Sequence, residues 1–245
     1  MRRISLAVLL ALFGFAAMAQ DNDGVSLEGS GKIITKNVDV KAFDAIQAKG
    51  LYELVLIQGD KEGVKIEADD NLMYLFDVSN DGSTLIIDMP LLRGNHKSFN
   101  IKGKDDKNNP KLKVYVTFKA LKNLDVAVIG NVHADAPLKL DALEIDSKNV
   151  GNITLALSAN KLTVDNKGVG NLTLSGSVTN AVIVNGGVGS LKGDDLVVQT
   201  MDIENTGVGS ANVNVVKDLK IKDSFLGKVK NSGNAKTHNM DGVEI

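Results

Sequence analysis

The sequence predicts an all-β chain, a single-domain right-handed parallel β-helix (solenoid) of about 18–21 residues per turn, on three observations. First, one phrase recurs six times: Val-Ile-Gly-Asn at 128–131, Asn-Val-Gly-Asn at 149–152, Gly-Val-Gly-Asn at 168–171, Gly-Val-Gly-Ser at 187–190 and 207–210, and Phe-Leu-Gly-Lys at 225–228. Its glycines are Gly130, Gly151, Gly170, Gly189, Gly209 and Gly227. Self-similarity at so even a period marks a stacked repeat. Second, aligning the repeats on the glycine gives three aliphatic columns. Ile129, Val150, Val169, Val188, Val208 and Leu226 precede it by one residue; Val132, Ile153, Leu172, Leu191, Ala211 and Val229 follow it by two; Leu124, Ile145, Val164, Ile183, Ile203 and Ile221 precede it by six. All three columns are expected to be buried. Third, the runs are short, β-branched and broken by Gly and Asn, which suits strands rather than helices. A turn of this length at ~3.3 Å per residue has a perimeter near ~65 Å, enough for three short strands. The right-handed sense follows from the hand of parallel crossovers.

The polar columns fit the same stack. Asn166, Asn185 and Asn205 recur four residues before the glycine, and Asn131, Asn152 and Asn171, then Ser190 and Ser210, one residue after it. Stacked amides can hydrogen-bond from turn to turn at corners, and glycines fit corners that exclude a Cβ or need positive φ. These residues read as structural.

In chain order, Met1-Arg2-Arg3, the apolar run at 4–16 and Ala17-Met18-Ala19 form a signal peptide cleaved after Ala19, with no lipobox because the chain has no cysteine. Residues 20–31 read as a flexible leader and 32–245 as the β-helix domain. Within it, 32–118 form irregular wider turns, 119–230 the regular turns and 231–245 a C-terminal cap. In the wider turns Tyr52, Leu54 and Leu56, then Val64, Ile66 and Ala68, then Leu112, Val114, Val116 and Phe118 alternate with more polar neighbours.

The repeated Gly-Val-Gly-Asn and Val-Ile-Gly-Asn phrases resemble those of the putative autotransporter-adhesin head family, the GIN-domain proteins of Bacteroidetes. Residues 40–46 and 51–59 resemble that family's opening strands, and Asp70-Asn71-Leu72 and Leu85-Ile86-Ile87 also fit. The resemblance spans about residues 30 to 230. It implies an exported β-helical protein and supplies no catalytic or ligand-binding residues to carry over. An autotransporter also requires a membrane β-barrel, for which this chain leaves no room.

Composition narrows the function. With 28 Lys and Arg against 30 Asp and Glu the net charge is −2, and removing Arg2 and Arg3 with the signal peptide takes it to −4, which gives nucleic acid no electrostatic attraction. No transmembrane segment is expected in the mature chain. Gly187-x-Gly189-x-x-x-Gly193 is a poor dinucleotide loop with no helix after it, and neither Gly-x-Ser-x-Gly nor His-Glu-x-x-His occurs. The expectation is therefore an adhesin-like binding or structural module of the cell envelope, not an enzyme, with no catalytic residues, metal or cofactor. Its partner would be a protein or polysaccharide. The alternative is a β-helical polysaccharide lyase or hydrolase, by analogy of fold.

The candidate contact residues are Arg93, His96, Lys97, Lys102, Lys104 and Lys107, in the basic insertion between Pro90 and Pro110. Two acidic features are weighed against plainer readings. Asp77, Ser79, Asp81, Gly82 and Asp88 have calcium-loop spacing, but Asn80-Asp81-Gly82 between β runs reads as a hairpin turn. Asp125, Asp146, Asp165 and Glu204 recur five residues before the glycine, with Lys148 and Lys167 nearby, and read as a solvated charged face.

Overall fold

The repeats stack as coils because their long strands bury alternate side chains and no coil can cover its own apolar side. The computed structural model describes residues 24–93, 98–104 and 110–240, so the signal segment 1–19 lies outside the described residues. The first half comprises β1 (Gly24–Glu28), β2 (Ile33–Val38), β3 (Ala45–Gly50), β4 (Glu53–Gln58), β5 (Gly63–Asp69), β6 (Asp77–Asp81), β7 (Thr84–Asp88), β8 (Ser98–Lys102) and β9 (Leu112–Phe118). The second half follows with β10 (Asn123–Val128), β11 (Val132–Ala134), β12 (Leu138–Lys139), β13 (Ala142–Ser147), β14 (Ile153–Asn166), β15 (Leu172–Asn185), β16 (Leu191–Asn205), β17 (Ala211–Asp223), β18 (Val229–Asn231) and β19 (Lys236–Asn239). Two short 3-10 turns, Asp70–Leu75 and Pro90–Arg93, are the helical segments among the described residues, and none is long and apolar enough to cross a membrane.

In the second half the coils pair in parallel and in register along the columns. Leu124 faces Ile145, Ile145 faces Val164, Val164 faces Ile183, Ile183 faces Ile203 and Ile203 faces Ile221. A second inward column runs Val132, Ile153, Leu172, Leu191, Ala211 and Val229. The two columns hold the interior, each fully buried aliphatic contributing about 1.5–3 kcal/mol of transfer free energy. The repeated glycines permit the stacking. At Gly170 φ is +131° and an added Cβ would meet the carbonyl oxygen of Gly151 at 2.2 Å, so no larger residue fits without moving the neighbouring coil.

The first half extends this stack and then closes it. β3 lies parallel on β10 with Ile46 over Leu124, and β4 lies parallel on β11 with Leu54 over Val132. β7 and β9 add the next layer on β3 and β4. There the pattern changes: β5 pairs antiparallel with both β9 and β2. Tyr52 fills the space beneath, its hydroxyl donating to the Ile87 carbonyl at 3.0 Å. The alternating residues expected to be buried in this half are buried. The antiparallel cover is a finding beyond them, because period-two alternation does not encode strand direction.

Part of the leader is a strand. Residues 24–28, inside the stretch read as flexible, form β1, which pairs in parallel with β8 from the basic insertion as a separate two-stranded sheet. The amide of Gly29 then donates to the Lys102 carbonyl at 2.8 Å, and that of Gly31 to Asp69 Oδ1 at 2.7 Å. Each strand supplies the other's backbone partners, so β1 and β8 hold one another. The hairpin reading of 77–88 holds, with Asp81 opposite Thr84 and Gly82 at φ +56°.

Candidate binding surface

Alternation decides what the coils present to solvent. In the third repeat Val164, Asn166 and Gly168 point inward, which sends Asp165, Lys167 and Val169 outward; Gly170 then bends the chain and Leu172 re-enters the core. The column one residue before the glycine is therefore on the surface, contrary to the expectation of burial. Val150 is 47% exposed, Val169 and Val188 51%, Val208 49% and Ile129 56%. The cause is parity: positions six and one before the glycine are separated by an odd number of steps, and an odd separation along a strand changes faces.

These five residues form a straight ridge. Ile129, Val150, Val169, Val188 and Val208 are joined in series by parallel bridges, and the Val169 amide donates to the Asn149 carbonyl at 2.7 Å. Four steps of ~4.8 Å make the ridge about 19 Å long. Leu226 continues it, exposed, its carbonyl accepting from the Gly209 amide at 3.1 Å. A row of exposed β-branched residues on a rigid backbone adds nothing to the interior and is the kind of apolar feature that marks contact surfaces.

One flank of the ridge is amide-rich and fixed. Asn131 Oδ1 accepts from the Asn152 amide at 3.0 Å, Asn152 Oδ1 from the Asn171 amide at 3.0 Å, and Asn171 Oδ1 from the Ser190 amide at 3.1 Å. These side chains bind one coil to the next, the structural role expected of them. The inner asparagines do the same within the core.

The other flank is charged. Asp125, Asp146 and Asp165 stack in register and, with Ser147, Lys148 and Lys167, line an open recess of about 200 Å³. Gln47 Nε2 donates to Asp125 Oδ2 at 3.0 Å, and Lys167 pairs with Asp165. Asp146 has its pKa raised, first by partial burial and then by the charges of Glu144, Asp165 and Asp125. Val184 separates this group from Glu204, which pairs with Lys222 at 2.8 Å. Among the described residues no group of three or more His, Asp or Glu is arranged to hold a metal ion. The stack has the geometry of a solvated charged face.

The basic insertion is placed only in part. His96, Lys97 and Lys107 lie outside the described residues, as does the side chain of Arg93, whose backbone ends the 3-10 turn Pro90–Arg93. Lys102 and Lys104 are exposed; Lys102 belongs to β8, and the Lys104 side chain covers Gly31. Both are thus tied to the β1–β8 pair. The ridge is hidden when the columns are judged by composition, although their parity encodes it.

Comparison with known families decides the lineage. A family model described as "Putative auto-transporter adhesin, head GIN domain" matches residues 42–235. The chain belongs to this family. No curated protein sequence matches it. A crystal structure described as a putative adhesin from Bacteroides fragilis NCTC 9343 is 27% identical, with a TM-score of 0.70 over 87% of this chain and 100% of that one. Two structures from Parabacteroides distasonis ATCC 8503 share the fold. One, described as a putative lipid binding protein, is 20% identical with a TM-score of 0.67 over 88% of this chain and 95% of that one. The other, described as a putative adhesin, is 19% identical with a TM-score of 0.59 over the same shares. The GIN domain of this chain is thus a solenoid whose outward columns, ridge included, are set by its own repeat.

Proposed function

We propose that this GIN-domain protein is an exported, adhesin-like binding module of the cell envelope that works without catalysis. The observation that carries the reading is the exposed ridge from Ile129 to Val208, held rigid by its bridges and flanked by fixed amides on one side and charges on the other. A long, shallow, preformed surface suits an extended polysaccharide or a protein partner better than a small molecule in a cavity. Membership of an adhesin-named family supports an envelope or extracellular location, and we assign export to a signal peptide cleaved after Ala19. The reading assigns a secondary basic contact to Arg93, His96, Lys97, Lys102, Lys104 and Lys107. The description of a similar fold as a putative lipid binding protein is compatible with an apolar outer surface.

The test is to probe glycan and extracellular-protein arrays with the mature chain and with a Val150→Ser/Val169→Ser/Val188→Ser variant. The mature chain binds a defined set of spots, and the variant loses about ten-fold or more in affinity, since removing anchor side chains of this kind costs over ~1 kcal/mol. Turnover of a polysaccharide by the purified chain, lost on substituting Asp125, Asp146 or Asp165, would favour the lyase or hydrolase reading instead.

A further inference from the structure

The coil farthest from the β2–β5–β9 cover differs in charge from the rest of the molecule. Residues 217–236 contain six lysines, Lys217, Lys220, Lys222, Lys228, Lys230 and Lys236, and two acids, Asp218 and Asp223, a local net of +4 in a chain whose total is −2. All six lysines are exposed. Lys222 pairs with Glu204 at 2.8 Å, Lys228 with Asp223 at 3.2 Å and Lys220 with Asp202 at 3.7 Å. Lys217, Lys230 and Lys236 have no ion pair among the described residues.

A protruding apolar turn sits within this basic coil. The last repeat step, from Gly209 to Gly227, is the shortest of the series, and the turn at 224–228 leaves Phe225 92% exposed and Leu226 61% exposed. Phe225 is the most exposed large hydrophobic side chain of the described residues. The turn is built, not loose: Ser224 N donates to the Asn205 carbonyl at 3.2 Å, Gly227 N to Ser224 Oγ at 3.1 Å, and Gly209 N to the Leu226 carbonyl at 3.1 Å. An added Cβ at Gly227 would meet the Asn205 and Gly207 carbonyl oxygens at 2.5 and 2.7 Å, so the backbone of the turn rests directly on the preceding coil.

We propose that this end of the solenoid docks on an anionic lipid surface, with Phe225 and Leu226 entering the interfacial layer and the surrounding lysines meeting the headgroup phosphates. An aromatic and an aliphatic side chain on a rigid turn, with Lys222, Lys228 and Lys230 within five residues of it in the sequence, match both layers of such a surface. A soluble polyanion would satisfy the lysines and leave Phe225 in water. A second copy docking end to end would set one +4 coil against another. The site adjoins the ridge at Leu226, but Phe225 and the lysines lie outside the Ile129–Val208 row proposed to bind envelope partners, so either reading can fail alone.

Flotation of the mature chain with vesicles of phosphatidylcholine, alone or in an equal mixture with phosphatidylglycerol, tests this. The chain floats with the mixed vesicles and not with phosphatidylcholine alone, and added salt weakens the association. Phe225→Ser/Leu226→Ser and Lys228→Gln/Lys230→Gln each lower the apparent partition coefficient about ten-fold or more, with unchanged melting temperature, while Val169→Ser leaves it unchanged. Equal flotation with both vesicle types, flotation with neither, or undiminished flotation of the Phe225/Leu226 variant would overturn the proposal. So would binding to heparin-coated beads that survives the Phe225/Leu226 change, if the mixed vesicles are not bound.

Discussion

Asn166 Nδ2 donates to Asn185 Oδ1 at 2.7 Å, and Asn185 Nδ2 repeats the bond to Asn205 Oδ1 at 2.7 Å, all three side chains buried. Three coils share one chain of amides inside a largely aliphatic interior. Asn185→Leu leaves a buried donor on Asn166 and a buried acceptor on Asn205, and is expected to cost about 3 kcal/mol, seen as a lower urea midpoint. A loss below about 0.5 kcal/mol would mean that the ladder does not join the coils.

The corners make a sharper demand. Gly170→Ala forces a Cβ against the Gly151 carbonyl at 2.2 Å and onto a backbone at φ +131°, and is expected to lose more than about 3 kcal/mol or to fail to fold. Gly63→Ala meets nothing within 4 Å and is expected to stay within about 0.5 kcal/mol of the parent. Thermal melts of the pair separate close stacking from a general cost of replacing glycine.

Asp146 gives the charged flank a pH signature. Burial and its acidic neighbours raise its folded pKa, so the folded state binds its proton more tightly than the unfolded chain does. The penalty is absent below the unfolded carboxylate pKa of about 3.9 and is complete once pH has risen past the folded value. Asp146→Asn should therefore raise the melting temperature at neutral pH and lose that advantage near pH ~3. A gain that is constant with pH would assign the effect to packing instead of charge.

The repeat, two of the three aliphatic columns and both asparagine columns are legible in the sequence, because period and residue type carry that information directly. The exposure of Val169 is not legible from column composition, since a valine looks the same on either face until strand parity is counted. The β2–β5–β9 cover is hidden because Val64, Ile66 and Ala68 alternate identically in parallel and antiparallel pairs. The pairing of β1 with β8 joins segments remote in the sequence, Gly24 opposite Ser98, with no local signal at either. Phe225 is concealed in the repeat phrase itself, where it occupies the position of Gly207 in the preceding coil.

The exposure of Val169 beside the burial of Leu172 is the relationship on which the binding surface depends, and the absence of native cysteine makes it directly measurable. Val169→Cys and Leu172→Cys variants would each be treated with a maleimide under native conditions and again in denaturant. Rapid, complete native labelling is expected at 169, and labelling at 172 only after unfolding. Protection of the cysteine at 169, or equal native labelling at both positions, would contradict the outward placement of the ridge.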